Sequence, residues 1–531
     1  MRDLIAAVDV GTRSARAGIL DTGGTLLGRA VSPISLNFPR ANYAEHDSEQ
    51  IWSAIGLAMR EAIHQARIDP ARVAGLSFDA TCSLVIRDVH GNPLNLSPSQ
   101  TEVWDTLVWL DHRALKEAEE CTASKHRLLN YIGGVMSPEM ETPKLMWLKR
   151  RRPDIWAKIG YLFDLADFLT WKASGQTHRS QCTLTCKWAY LGHQDRGWQK
   201  DLLDQLGIAD MLECGHLPEH ATPIGQDLGT LTAEAAQTLG LTRECRVGVG
   251  LIDAHAGMLG VLGGLNASGT MERHLGLIAG TSSCVMALSQ YPIHTPGIWG
   301  PYYGAVLPDC WLNEGGQSAT GALLDHIIRS HGAGLEPTAE THTKIVARVQ
   351  ELRAGEGEAL AQDLHVLPDF HGNRSPLANP HALGVISGLN LDSSFDALCR
   401  LYWRTLVGIA LGIRHILEAL NDRGYIIDTL HVSGGHTKNP LLMELYADAT
   451  GCAVVESLAE DTVLLGTAMV AATAAGLFPD LSSACRAMRQ QSRTRAPNLQ
   501  ARARFDRDYR IFLRMHEHRQ EIETLGLAMR E

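Results

Sequence analysis

Several places in the sequence set glycines beside side chains that can hold a phosphate group. From Asp9 the chain reads DVGTRSAR, directly after an apolar run. Gly11 would let the backbone approach a phosphate. Thr12, Arg13 and Ser14 could donate hydrogen bonds to its oxygens. Asp9 could bind Mg²⁺, partly through water, because magnesium keeps some of its hydration shell. The simpler alternative is an ordinary Asp-Gly hairpin turn.

A second turn of the same kind follows in the other half of the chain. It reads GTSS, with Gly280 and Thr281 in the places of Gly11 and Thr12. Two such turns facing each other would clamp a phosphate, which phosphoryl transfer requires because its catalysis is mostly positioning and charge neutralisation. An unspecialised Ser/Thr-rich turn is the alternative for this segment alone.

A single carboxylate and a pair of glycines complete the set. Asp253, in GLIDAHAG, follows an apolar strand and could accept the proton of an attacking hydroxyl. A helix N-cap is the alternative role for it. In HVSGGHTKNP, Gly434 and Gly435 join a strand to a helix that begins at Pro440. They would let an adenine or ribose lie against the backbone, although a plain strand-to-helix connection has the same pattern.

Absent motifs and the overall charge exclude other classes of protein. The sequence has no GxxxxGK[ST], HExxH or GxSxG motif, and Asp253 stands where a dinucleotide fingerprint needs its third glycine. The net charge of −11 argues against a nucleic-acid binder. The 11 cysteines are scattered, and the closest pair, Cys182 and Cys186, has no second pair at zinc-ligand spacing. We interpret them as reduced thiols of a cytoplasmic protein.

The elements that must position these residues repeat one plan in two halves of the chain. Residues 4–20 and 273–288 each read as an apolar strand, a Gly-Thr turn and a second strand. Asp47 or Ser48 would cap the first helix. We place the boundary of the halves near residues 258–272, a peripheral helical insertion at 332–360, and a solvated helix face at 485–520. The pattern predicts further strands at 73–78, 246–252 and 429–433, and helices at 48–66, 398–420 and 440–450.

The sequence shows no segment suited to a membrane. The apolar run at the start is too short for a signal peptide. The longest uncharged stretch, residues 463–478, is rich in alanine and glycine and falls short of the ~20 residues that span a bilayer. We predict that it is a helix buried among close neighbours.

These segments, in this order, resemble the FGGY carbohydrate kinases of the actin, hexokinase and heat-shock-70 superfamily. The resemblance implies an α/β fold with two ribonuclease-H-like lobes, residues 1–262 and 263–531, flanking a catalytic cleft. It implies that Asp253 is the catalytic base and a ligand of both sugar and metal, with Asp9 as the other metal ligand. The remaining ATP contacts that it implies are Gly11, Thr12, Arg13, Ser14, Gly280, Thr281, Gly321, Gly434, Gly435 and Asn439.

The sugar side of the resemblance points to pentulose kinases. The segment at Trp109, Asp111 and Arg113 matches a family segment near the substrate. Ala80 and Thr81 stand where glycerol kinases carry an Arg-Glu pair, which makes glycerol an unlikely substrate. The other implied substrate contacts are Thr81, Cys82, Ser83, Glu139, Lys187, Glu314 and Gln317. Glu139 and Lys144 have a surface ion pair as their alternative. Cys82 and Cys186 are predicted to be pocket-wall or core residues rather than nucleophiles.

The expected reaction is ATP-dependent phosphorylation of a pentulose, with D-ribulose favoured and Mg²⁺ accompanying ATP between the lobes. A ribitol or L-ribulose kinase is the alternative on the same scaffold. A nucleotide-switch protein of the actin or chaperone type is the alternative from another class, but it would need no polar sugar pocket. We expect a cytoplasmic homodimer whose partners are a small sugar and ATP, with no nucleic acid and no membrane.

Overall fold

The computed structural model describes residues 2–97, 102–268 and 270–528. They form two compact units, each made of several chain segments. The first unit takes its residues from Met1–Met271, Leu288–Asn313 and Leu458–Gln491, and the second from Glu272–Ala287, Glu314–Ser457 and Ser492–Glu531. The division of the sequence after residue 262 stays a prediction.

Strands and helices alternate along the chain. The strands are β1 Leu4–Val10, β2 Ser14–Asp21, β3 Leu26–Pro33, β4 Glu45–His46, β5 Val73–Ala80, β6 Leu84–Asp88, β7 Thr106–Leu107, β8 Ile159–Asp164, β9 Asp227–Thr230, β10 Arg246–Gly248, β11 Leu251–Ile252, β12 His274–Ala279, β13 Ser283–Ser289, β14 Trp299–Tyr303, β15 Trp311–Gln317, β16 His365–Leu367, β17 Val385–Ser387, β18 Thr429–Ser433, β19 Ala453–Ser457 and β20 Ser492–Arg495. The helices are α1 Ser48–Ala66, α2 Leu115–Ala123, α3 Glu141–Arg151, α4 Pro153–Trp156, α5 Leu165–Ser174, α6 Gln181–Lys187, α7 Lys200–Gln205, α8 Met211–Cys214, α9 Ala233–Leu239, α10 Asp253–Leu262, α11 Gly321–Ser330, α12 Ala339–Glu356, α13 Phe395–Asn421, α14 Pro440–Thr450, α15 Thr462–Ala474, α16 Leu481–Met488 and α17 Arg502–Ala528.

The first unit is built on a mixed sheet in the order β3-β2-β1-β5-β10-β9, with β11 beside β5. Strands β1, β2 and β3 are antiparallel, whereas β1 and β5 run parallel. Helix α1 packs on β2 and β3, and α15 packs on β1 and β5. Asp47 is the N-cap of α1, and its side chain accepts hydrogen bonds from the amides of Glu49 and Gln50. The predicted cap is confirmed at Asp47.

Two glycines bring α10 and α15 unusually close together. A Cβ atom at Gly260 would lie 2.0 Å from the carbonyl oxygen of Thr462, and one at Gly466 would lie 1.9 Å from that of Ala256. At this crossing, each helix therefore has room only for a glycine. The predicted buried helix at 463–478 is confirmed as α15, and its small residues fix α10, which begins at Asp253.

The second unit repeats the central plan of the first. Its sheet contains β15-β13-β12-β18-β19-β20 in that order. The β12–β13 pair is antiparallel, and β18 runs parallel to both β12 and β19. The 27-residue helix α13 is buried along most of its length and packs against α11, α12 and α14. The predicted echo between residues 4–20 and 273–288 is thus confirmed as two hairpins in equivalent places.

Most predicted elements are present, with two differences. The predicted strand at 246–252 is interrupted at Val249 and Gly250 and forms β10 and β11 on either side of them. The Arg-rich tail is not simply solvated, because Phe505, Tyr509 and Phe512 of α17 are buried. The polar insertion is confirmed as α12. None of the described helices is both long and apolar enough to cross a membrane.

Candidate active site

Three aspartates lie where neighbouring parallel strands of the first sheet end. Asp9 on β1 lies opposite Asp79 on β5. Strand β11 also pairs with β5, with Leu251 opposite Asp79, and Asp253 directly follows β11. Ligands of α/β proteins bind beyond the carboxyl ends of such strands, so this edge is the place to expect chemistry.

Asp253 is the first residue of α10 rather than its cap. The N-cap position belongs to Ile252, which is extended and offers no side-chain cap. One carboxylate oxygen of Asp253 accepts a hydrogen bond of 2.7 Å from the amide of Ala254. The alternative in which Asp253 is the N-cap of this helix is therefore wrong. The N-terminal position on α10 still matters, because the helix dipole favours the charged form of a carboxylate there.

Asp9 and Asp79 are both fully buried, which makes their negative charge costly. Burial raises the pKa of Asp9, and Arg16 opposes that rise through a direct ion pair. Burial also raises the pKa of Asp79, which accepts a hydrogen bond from the hydroxyl of Thr467. Arg16 also forms an ion pair of 3.4 Å with Asp461. A divalent cation at this edge would offset the remaining negative charge, and carboxylate oxygens are the ligands that Mg²⁺ prefers.

The first Gly-Thr turn is held from two sides. The amide of Gly11 donates to the carbonyl oxygen of Ser14 at 3.0 Å. The indole of Trp109 donates to the hydroxyl oxygen of Thr12 at 3.0 Å, which leaves the Thr12 proton for another acceptor. The buried ring of His46 lies 3.0 Å from the carbonyl oxygen of Thr12. Burial lowers the pKa of His46 to about 4, so its ring is neutral and donates through Nε2.

The second Gly-Thr turn is held in a similar way by residues of its own unit. The amide of Gly280 donates to the carbonyl oxygen of Ser282 at 2.8 Å, and Thr281 is exposed. The buried ring of His436 lies 3.1 Å from the carbonyl oxygen of Gly280. Burial lowers the pKa of His436 to about 4 as well. The hydroxyl of Tyr446 lies 2.8 Å from the other ring nitrogen.

The predicted nucleotide glycines surround this second turn. A Cβ at Gly321 would lie 2.6 Å from the carbonyl oxygen of Gly280, and one at Gly434 would lie 2.4 Å from that of Ala279. Gly434 also has a φ of +91°. Gly435 has open space, because its nearest neighbour would be 3.9 Å away. Asn439 is the N-cap of α14 and accepts a hydrogen bond from the amide of Leu441.

A second cluster of buried charges lies around Cys82, one of the predicted sugar contacts. Lys144 and Glu141 form an ion pair of 3.5 Å with no exposed side-chain surface, so the surface-pair alternative for Lys144 is wrong. Burial raises the pKa of Glu141, and Lys144 and then Lys187 oppose the rise. The nitrogen of Lys187 lies 4.3 Å from the ring centre of Trp299. Burial also raises the pKa of Asp164 well above its ordinary value.

Comparison with known proteins identifies the family. The N-terminal domain of the FGGY family of carbohydrate kinases matches residues 4–260, and its C-terminal domain matches residues 275–475. The chain belongs to the FGGY family of carbohydrate kinases. It is therefore an ATP-dependent sugar kinase with the two-domain fold of the actin and hexokinase type, which rules out the non-catalytic switch alternative.

Individual relatives match this chain over most of its length. The human FGGY carbohydrate kinase domain-containing protein is 42% identical over 97% of this chain and 96% of its own. The D-ribulokinase of Saccharomyces cerevisiae is 35% identical over 89% of this chain and 72% of its own. A crystal structure of xylulose kinase from Rhodospirillum rubrum matches with a TM-score of 0.76 at 23% identity, covering 98% of this chain and 99% of that one.

The residues around Trp109 support one another inside the kinase. Arg113 donates to both oxygens of Asp111 at 2.7–2.9 Å and to Glu45 at 2.8 Å. Its guanidinium lies 4.1 Å from the ring centre of Tyr43. The predicted meeting of Asp111 and Arg113 is present, and both side chains are buried. Their contact with sugar stays a prediction.

The remaining predicted sugar residues are spread over both units. The hydroxyl oxygens of Thr81 and Ser83 lie 3.2 Å apart. Burial raises the pKa of the Cys82 thiol, as expected for an unreactive residue of a pocket wall. The carbonyl oxygen of half-buried Glu139 accepts from Lys144 at 3.1 Å. Glu314 and Gln317 lie on β15, where Gln317 donates to the carbonyl oxygen of Ile409 at 3.2 Å.

Sequence reasoning missed several residues of these clusters. Asp79 lies two residues before the predicted sugar contact Thr81, but nothing in its local sequence showed that it lies opposite Asp9. Glu141 and Asp164 are separated in the chain and meet Lys144 only through the fold. His46 had no distinguishing neighbours either. For His436, its position directly after Gly434 and Gly435 would have been a weak signal.

Proposed function

We propose that this sugar kinase phosphorylates D-ribulose. The observation that carries the proposal is the buried cluster of Lys144, Lys187, Glu141 and Asp164 around Cys82. The two oxygens of Asp164 accept no hydrogen bond from any described residue. Buried polar groups without partners are costly, so this cluster suits a ligand with several hydroxyls. The relative named D-ribulokinase favours D-ribulose among such ligands.

The proposed base is Asp253. Its carboxylate would accept the proton of the terminal hydroxyl while the sugar oxygen attacks the γ-phosphorus of ATP and ADP departs. The product would be D-ribulose 5-phosphate. Lys187 would orient the sugar as a point charge, since an ammonium donates to hydroxyls from several directions.

Mg²⁺ is the proposed companion of ATP, with Asp9 and Asp253 as its carboxylate ligands. When bound, the ion neutralises charge on the phosphate chain. Arg16 holds Asp9 in place, and Asp79 lies beside it on β5. The donors proposed for the phosphates are the hydroxyls of Thr12 and Ser14 in one turn and that of Thr281 in the other. Gly321, Gly435 and Asn439 stay predicted nucleotide neighbours.

A competition assay tests the substrate. D-ribulose, L-ribulose, ribitol, D-xylulose and glycerol would be offered in pairs, and the ratio of phosphorylated products gives the ratio of their kcat/KM values directly. D-ribulose should be preferred, because a site built for given hydroxyls rejects an epimer that leaves its polar groups unpaired. Preference for ribitol, L-ribulose or D-xylulose would overturn the assignment of the sugar while leaving the kinase reaction intact. The homodimer and the cytoplasmic location stay predictions.

A further inference from the structure

Two cysteines and a histidine converge inside the first unit, and the proposed reaction uses none of them as a reacting group. Cys182 and Cys186 lie one turn apart on α6, and His255 lies in the first turn of α10. The two sulfurs and one ring nitrogen are all within 4.8 Å of one another, and all three residues are buried. Within residues 2–97, 102–268 and 270–528, this is the only such group of three His, Cys, Asp or Glu ligands.

The composition of this group fits one metal better than others. Two thiolates and an imidazole are soft or borderline ligands, the kind that zinc prefers over the hard oxygen ligands of magnesium. Cysteines four residues apart on a helix project from the same face, so both sulfurs can reach one ion. The sulfur of Cys182 already lies 3.0 Å from Nδ1 of His255. We propose that Cys182, Cys186 and His255 bind one zinc ion.

The site was invisible to spacing alone. Cys182 and Cys186 have no second pair at zinc-ligand spacing, and the sequence alone therefore predicts ordinary reduced thiols. The third ligand is supplied by α10, and the crossing of α10 with α15 at Gly260 and Gly466 fixes the place of that helix. Binding would release the two thiol protons to solvent, while His255 coordinates through a neutral nitrogen. With three protein ligands, the fourth position is available to water.

The position of the proposed ion gives it a structural consequence. Cys186 immediately precedes Lys187, and His255 lies two residues after Asp253. The amide of Ile252 also points to the sulfur of Cys182, at 3.5 Å. The ion would therefore tie the helix that ends at Lys187 to the start of the helix that carries Asp253. Only an effect of the ion on the reaction rests on the proposed function; metal binding and the link between the helices do not.

Cobalt binding tests the site on the full-length protein. The chain would be stripped of metal with a chelator under reducing conditions and titrated with Co²⁺, whose bonds to thiolate give a charge-transfer band in the near ultraviolet. One equivalent of Co²⁺ should produce the band, and Zn²⁺ should abolish it. Excess Mg²⁺ should leave it unchanged, because magnesium demands oxygen ligands. Wild-type protein without the band at one equivalent would overturn the proposal.

Cysteine variants identify the thiols that give rise to the charge-transfer band. Cys182→Ser and Cys186→Ser should each weaken Co²⁺ binding by more than the roughly 10–100-fold that loss of an outer-shell partner costs. Cys245→Ser is the matched control, because Cys245 is an equally buried cysteine of the same unit. An unchanged band in both Cys182→Ser and Cys186→Ser, or its loss in Cys245→Ser, would contradict the assignment.

A measurement on the wild type alone covers the case in which a variant fails to fold. X-ray absorption of the zinc-loaded protein should show two sulfur and one nitrogen neighbours. Zn²⁺ should also raise the thermal unfolding midpoint, because it binds the assembled site of the folded chain more tightly than the unfolded chain. A shell made of oxygen and nitrogen alone would overturn the site. Sugar preference is measured separately, so failure of the proposed substrate would leave this result unaffected.

Discussion

The two units share a scaffold but differ in what they place at the ends of its strands. Aligning the Gly-Thr turns sets Asp9 of β1 against Ile278 of β12. Asp9 lies opposite Asp79 on the neighbouring parallel strand, whereas Ile278 lies opposite Ser433. The first unit thus buries two carboxylates where the second has an apolar side chain and a hydroxyl. Because burying a charge is expensive, it persists only where something offsets it or uses it.

What the units share is equally informative. In each, a buried histidine with a pKa of about 4 donates to a carbonyl oxygen of the Gly-Thr turn, His46 in the first unit and His436 in the second. The turns are held by similar means and differ in the acids around them. This contrast favours base and metal chemistry in the first unit and nucleotide contact in the second.

The largest effect should come from the proposed base at the acidic edge of the first unit. Asp253→Asn should lower turnover by roughly 10²–10⁴-fold, the usual contribution of a positioned general base. ATP affinity, measured by calorimetry, should survive, because the amide keeps the shape of the side chain and its oxygen can still coordinate the ion beside Asp9. Asp204→Asn, at an exposed acid of the first unit, should leave turnover unchanged. Near-normal turnover in a folded Asp253→Asn protein would contradict the role of base.

Two adjacent glycines of the second unit separate a backbone role from a ligand role. Gly434→Ala should lower the free energy of unfolding by about 2 kcal/mol, because alanine is strained at positive φ and its Cβ would meet the carbonyl oxygen of Ala279. Gly435→Ala has space and should keep most of the stability. It should instead weaken ATP binding if a flat part of the nucleotide lies on that backbone. Chemical denaturation and calorimetry measure the two quantities, and equal losses of stability would refute the distinction.

The shared histidines predict a loss of stability in mild acid. The pKa of His436 is about 4 in the fold and about 6.5 in the unfolded chain, so the unfolded chain binds the proton more readily. Its contribution is complete above pH 6.5 and is lost as the pH falls towards 4. At pH 5 the loss should be about 1–2 kcal/mol. His436→Gln should flatten the dependence of unfolding free energy on pH over that window, and an unchanged slope would contradict the buried neutral ring.

The sequence predicted the hairpins and α15 because their signals are local. A run of apolar residues before a Gly-Thr turn determines a strand, and uninterrupted small apolar residues determine a buried helix. The pairing of Asp9 with Asp79 depends on the register between β1 and β5, which no local pattern reveals. The burial of Lys144 and the approach of His255 to Cys182 depend likewise on packing between distant segments.

The smallest predicted effect concerns how the first turn is held, since the bond from Trp109 to Thr12 has no counterpart among the hydrogen bonds described for Thr281. Trp109→Phe removes the indole donor and should lower kcat about 2–10-fold, the worth of one hydrogen bond. If Trp109 acts by orienting the Thr12 hydroxyl, the same change in a Thr12→Val background should have almost no further effect on kcat. A double-mutant cycle in a coupled ADP assay measures this coupling. If Trp109 instead contacts the sugar directly, the two effects should add and the KM for sugar should rise in both backgrounds. Additive effects would therefore return Trp109 to the sugar site predicted from the sequence.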